Sequence, residues 1–113
     1  LPGGAGRIGR YIATHEAMGI MNLRSVHQAI GGGGPTPTGN VTKLVLSEQG
    51  HEAAAMLAAM AGPESAFLDG AGMMSGMLVL MHRAMSIAGG TSEIKRNQIG
   101  ERILGLPRDP LIR

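Results

Sequence analysis

The chain has no cysteine, which excludes disulfides, thiol nucleophiles and thiolate metal sites and suits a reducing compartment, expected here to be the cytoplasm. Aromatic side chains are nearly absent. Only Tyr11 and Phe67 are present, so the core must be made of Leu, Ile, Val, Ala and nine Met, a loose and adaptable packing set. No apolar run reaches the roughly 18 residues that a membrane span requires, and no charged-then-apolar leader opens the sequence. Ten basic and eight acidic residues give a formal net charge of +2 without a basic run. Nucleic-acid binding, which needs a clustered basic face, is therefore not indicated. Alternating strand patterns are missing, as are repeats of about 20 to 50 residues. The first residue is Leu1 rather than Met, and the chain is treated as a fragment of a longer protein.

What the sequence has in excess is glycine, 19 of 113 residues, against a usual share of about 7%. The glycines fall between stretches of helical periodicity. From Arg7 to Ile30, apolar residues including Ile8, Ile12, Met18, Met21 and Val26 recur at three- and four-residue steps, the mark of an amphipathic helix. Gly31 to Gly34 with Pro35 and Pro37 ends it. A second helix is predicted from Thr38, a candidate N-cap, to Gly62-Pro63, with Val41, Leu44, Val45, Ala55, Met56, Ala59 and Met60 on its buried side. Glu64 to Gly72 reads as a loop or short helical turn. Met73, Met77, Leu78, Met81 and Met85 line a third helix and are assigned to the core, a Cu(I)-binding thioether stripe being the rarer use of such a pattern. That helix ends at Ala88-Gly89-Gly90. A fourth begins at Thr91-Ser92, places Glu93 where the helix dipole favours negative charge, and ends at Leu104. The expected architecture is all-α, an antiparallel helical bundle with a single modest core.

The most specific run is Gly89-Gly90-Thr91-Ser92-Glu93-Ile94-Lys95-Arg96-Asn97 followed by Leu104-Gly105-Leu106-Pro107-Arg108-Asp109. This run resembles the closing segment of acyl-CoA dehydrogenases. Met21-Asn22-Leu23-Arg24 and Thr42-Lys43-Leu44-Val45-Leu46-Ser47-Glu48 are similar to earlier parts of that family's C-terminal domain, in the same order. The resemblance covers most of the chain, residues 1–113 being read as an incomplete four-helix bundle without the N-terminal helical and middle β domains. It implies an FAD-dependent enzyme that oxidises an acyl-CoA thioester to the trans-2-enoyl-CoA in fatty acid or lipid metabolism. It further implies a homo- or hetero-oligomer and an acceptor such as electron-transfer flavoprotein. Position by position, Gly90 would contact substrate, and Thr91, Ser92 and Glu93 would contact FAD. The physics is compatible: two glycines permit close backbone approach, and a helix start offers unpaired N–H groups.

Two departures qualify the resemblance. The usual catalytic glutamate position is Gly89, which has no titratable group, so the base lies upstream of Leu1, on another chain, or nowhere. A non-catalytic helical partner subunit is the alternative. His15, Glu16, Glu48 and Glu93 qualify as bases by chemistry alone. Ala58 to Glu64 stands where many members carry a glycine-rich segment for the FAD diphosphate. Among other signals, Gly4 to Gly9 matches G-x-G-x-x-G but lacks the preceding strand that the dinucleotide fingerprint needs. His15, His27, His51 and His82 follow no zinc-ligand spacing and are assigned to surface or helix faces; no metal site is expected. Asn40-Val41-Thr42 fits a glycosylation sequon at a helix start. Arg96, Arg102 and Arg108 are solvated helix-face charges, with CoA phosphates as their alternative partners.

Overall fold

A computed structural model describes residues 1–34 and 36–111. Pro35, Ile112 and Arg113 lie outside the described residues, and with them the Pro35 part of the glycine-proline break. Five α-helices account for most of the chain: α1 (Gly4–Ile30), α2 (Thr38–Ala61), α3 (Met73–Met81), α4 (Ala84–Ile87) and α5 (Ser92–Arg102). Two 3-10 turns, Gly62–Ala66 and Gly70–Gly72, join α2 to α3. No strand occurs among the described residues, as the missing alternation requires.

The central element is α2, against which every other helix packs. It runs antiparallel to α1, and Arg7 at the start of α1 forms a two-pronged ion pair with Glu52 in the second half of α2, at 2.5 and 3.1 Å. After the 3-10 turns, α3 and α4 return along α2, while α5 packs on its N-terminal half. Glycine makes the turn-to-α3 packing possible. A Cβ on Gly72 would collide with the Glu64 carbonyl, and one on Gly76 would sit 2.8 Å from the Phe67 oxygen and 2.9 Å from that of Ser65. Gly62, at φ 60°, ends α2 where the sequence places its end.

Several boundaries and faces differ from expectation for identifiable reasons. Helix α1 begins at Gly4, so Gly4 to Gly9 is helix rather than a phosphate loop. Thr38 is the first residue of α2 rather than its side-chain cap; Pro37 precedes it with no cap hydrogen bond. The third helix is broken at His82-Arg83, where Met85 and Ser86 donate to carbonyls three residues back, His82 and Arg83. Such i to i−3 bonds tighten the chain. α5 stops at Arg102; Leu104 then donates to Ile99 and Leu106 to Gly100, with Gly105 at φ 68°.

The largest correction concerns which residues are buried. On α2 the most buried positions are Ser47, Ala54 and Met56, whereas Ala55, Ala59 and Met60 are exposed. On α3 they are Ser75 and Gly76, while Met73, Met77 and Met81 face outward. The methionine stripe is therefore not core within this chain. Small residues line the seams because helices can approach closely only where side chains are short.

Candidate functional site

The glycine turn is built by three successive backbone choices. Ala88 leaves α4 in an extended conformation. Gly89 and Gly90 take φ of 71° and 102°, values that side-chain-bearing residues rarely adopt. Thr91 then returns to extended geometry as the N-cap of α5, its hydroxyl oxygen accepting the Ile94 N–H at 3.3 Å. Ser92 and Glu93 form the first turn. Among the described residues, the N–H groups of Gly89 and Thr91 meet no backbone acceptor. A Cβ added at Gly89 would touch nothing within 4 Å, so the position looks onto open space and only its backbone angle favours glycine.

Side chains of α2 hold this turn from behind. Lys43 Nζ donates to the Gly90 carbonyl at 2.7 Å. Lys95 lies over the same residue, its Cε 3.3 Å from where a Gly90 Cβ would stand, and its ammonium donates to Asn40 Oδ1 and Gln98 Oε1 at 3.3 Å each. One helical turn beyond Lys43, the Ser47 hydroxyl lies 2.8 Å from the Met85 carbonyl. One turn further, His51 Nε2 shares a 2.7 Å hydrogen bond with the Ser86 hydroxyl. The His82 ring meets His51 edge to face at a centroid distance of 4.5 Å, with Nδ1 3.0 Å from the Leu78 carbonyl. Burial, helped by the His82 and Arg83 charges, pushes His51 below the ordinary imidazole value. The expectation of surface or helix-face histidines thus fails for His82, which is buried, while His51 keeps its place on a face of α2 and packs against the His82 ring.

The electrostatics of the turn are cationic on the α2 side. Thr36, Pro37, Gly39, Asn40, Lys43, Lys95 and Arg102 line an open groove of about 670 Å³ without a carboxylate. Glu93 is held below the usual carboxylate range by its own backbone N–H and by the Thr91 hydroxyl, with Arg96 and Lys43 adding to the effect. A carboxylate so held is a weak base. Glu48 pairs with Arg96 at 3.5 Å on the exposed surface. His15 and Glu16 are exposed on α1. None of the four chemically eligible bases is thereby marked out. Arg102 and Arg108 share a second, smaller groove of about 160 Å³ with Glu101. Among the described residues no group of three or more His, Asp or Glu is placed to hold a metal ion.

The structure brings Gly89, Gly90, Thr91, Ser92 and Glu93 into one continuous feature. Sequence reasoning missed the contributions of Lys43, Lys95 and Asn40. Lys43 and Lys95 stand within the family-like runs, but nothing in those runs joins them to Gly90 or to Asn40.

Comparison with known proteins gives the arrangement its family. The model of the "Acyl-CoA dehydrogenase, C-terminal domain" matches residues 2–104. The acyl-CoA dehydrogenase FadE34 of Mycobacterium tuberculosis is 32% identical over 105 residues, covering 90% of this chain and 14% of that protein. No solved structure matches. The chain thus spans about a seventh of the length of this curated relative. With the Gly89 to Glu93 turn, the all-helical fold and a match from Pro2 to Leu104, the chain belongs to the acyl-CoA dehydrogenase family, as a C-terminal domain.

Proposed function

We propose that this chain is the C-terminal helical part of a longer FAD-dependent acyl-CoA dehydrogenase, which converts an acyl-CoA thioester to the trans-2-enoyl-CoA. In this reading Gly90 contacts the acyl thioester, and Thr91, Ser92 and Glu93 contact the flavin cofactor. The observation that carries it is the positive-φ glycine pair before the N-cap of α5, Gly89 exposed and Gly90 half-buried, held by Lys43 from behind. The donor set suits a dinucleotide: N–H groups at a helix start, the Ser92 hydroxyl and a groove bearing Lys43, Lys95 and Arg102 favour phosphate and carbonyl oxygens. FAD, when bound, supplies the hydride acceptor. The chain's own residues admit the ligands to bare backbone at Gly89 and Gly90, and donate N–H groups from the start of α5.

The proton on the substrate's α-carbon requires a base, and Gly89 provides none. In this reading the base belongs to another segment of the same protein or to a partner subunit. Gly89 also favours a second reading, in which the chain belongs to a non-catalytic helical partner of a mixed assembly. In either case the outward apolar faces of α1 and α3 serve oligomerisation, homo- or hetero-oligomeric; in the catalytic reading, electron-transfer flavoprotein or a similar acceptor in the cytoplasm would take up the electrons of turnover.

The test is to purify the full-length protein carrying this chain without added cofactor and mix it anaerobically with a panel of acyl-CoAs. A yellow protein whose flavin band bleaches with one of them supports the catalytic reading. A flavin band that no acyl-CoA bleaches supports the partner-subunit reading. A colourless protein that also refuses added FAD overturns the flavin site.

A further inference from the structure

We propose that Lys43 is a positioning residue that sets the orientation of the Gly90–Thr91 peptide, so that the Thr91 N–H is presented to an oxygen of the bound ligand. The inference rests on the reading of the Gly89 to Glu93 turn as the ligand-facing site. It starts from an elementary property of the backbone: in a trans peptide the carbonyl and the following N–H lie in one plane and point in opposite directions. No cis peptide occurs among the described residues. Fixing the Gly90 carbonyl therefore fixes the Thr91 N–H.

Glycine cannot do this alone. The Gly90–Thr91 plane follows two successive positive-φ glycines, Gly89 and Gly90, whose backbone has unusual freedom to rotate. Lys43 removes that freedom. Its ammonium approaches the Gly90 oxygen at 2.7 Å, the short distance of a charge-assisted bond. The stem belongs to α2, a 24-residue helix that every other helix packs against, so the anchor is rigid. Lys95 covers the same face of Gly90 and is itself tied to Asn40 on α2. With the carbonyl turned towards Lys43, the Thr91 N–H points away from that side chain. It has no backbone acceptor there. The Thr91 hydroxyl accepts the Ile94 N–H and hydrogen-bonds the Glu93 carboxylate, so the backbone N–H is the donor this residue has left for a ligand. A cation on the carbonyl also polarises the peptide and strengthens that donor.

The test compares the wild-type full-length protein with Lys43→Met, which keeps length and packing but not charge, and Lys43→Arg, which keeps both charge and a donor. Three readouts are taken: FAD affinity on reconstitution of the apoprotein, kcat and KM for the acyl-CoA, and the thermal midpoint. Lys43→Met should weaken FAD binding or lower kcat by about tenfold or more, the range of a lost charge-assisted hydrogen bond, with the midpoint moved by only a few degrees. Lys43→Arg should restore most of the loss. A fall in FAD affinity alone assigns the accepting oxygen to the flavin, and a fall in kcat with normal FAD affinity assigns it to the thioester; either supports the role. A flavin-bearing wild type whose Lys43→Met variant stays within twofold in both overturns the positioning role. So does a loss that tracks the thermal midpoint and is not restored by arginine. A wild type that takes up neither FAD nor acyl-CoA overturns the reading of the site, and the positioning role falls with it.

Discussion

The seams around α2 and the outer faces of α1 and α3 are opposites in composition. The seams hold Ser47, Gly50, His51, Ala54, Gly72, Ser75 and Gly76, joined by directed hydrogen bonds. The outer faces carry Ile12, Ile20, Leu23, Val26, Met74, Leu80 and Met81, all more than half exposed. A single chain with its small polar residues inside and its large apolar residues outside has not completed its own burial. Its accessible surface of 7,754 Å² exceeds the roughly 5,800 Å² typical of a folded monomer of this mass. Its radius of gyration of 17.3 Å exceeds the roughly 13 Å of a compact domain of this length. Specificity of packing thus resides in the seams, while much of the apolar surface stays exposed on the outer faces.

Substitutions in the two regions should therefore behave differently. The largest effect is expected at Gly72→Ala, because the new Cβ meets the Glu64 backbone, which cannot swing aside as a side chain would. A loss of about 2–4 kcal/mol, measured by denaturant unfolding, is expected. Ser47→Ala should cost about 1–2 kcal/mol, because it removes a fully buried hydroxyl and strips the Met85 carbonyl of that contact. Thr91→Ala removes the N-cap of α5 and should cost about 1 kcal/mol. A still smaller effect is expected from acid. His51 binds a proton less readily folded than unfolded, so its contribution is complete above the ordinary imidazole pKa of about 6.5 and declines as pH falls from there to the depressed folded value. His51→Gln should flatten that part of the profile in thermal scans; an unchanged acid slope would remove His51 from the account. Least sensitive are the outer faces: Ile20→Glu with Leu23→Glu should alter the stability of the chain by under about 0.5 kcal/mol while abolishing self-association in sedimentation. Equal destabilisation by this pair and by Gly72→Ala would break the contrast between seam and face.

Helix existence was legible in the sequence because periodicity and glycine breaks report local geometry directly. Which face of each helix is buried was legible only in part: Met18 and Met56 are buried as expected, whereas Ala55, Ala59 and Met60 are exposed. Met73, Met77 and Met81 repeat at four-residue spacing, and such a stripe looks the same whether its partner is in the chain or beyond it. The break at His82-Arg83 was hidden too, and the residues after it, Met85 and Ser86, meet Ser47 and His51 of α2. At the site, the glycine pair and the Thr91 cap were readable because only a few residue types suit those backbone angles. Lys43 and Lys95 were not, because a lysine's partner some 47 or 55 positions away leaves no mark on its own neighbourhood.

The central claim is that the Gly89 to Glu93 turn is where this chain meets its ligands, and hydrogen exchange on the full-length protein tests it most directly. Exchange would be compared in the apoprotein, with FAD, and with FAD plus an acyl-CoA. The account expects slowed exchange in a peptide covering residues 88–95 on adding the ligands, while the C-terminal half of α1 changes little. Unaltered exchange across 88–95, with protection confined to α1 or α3, would contradict it.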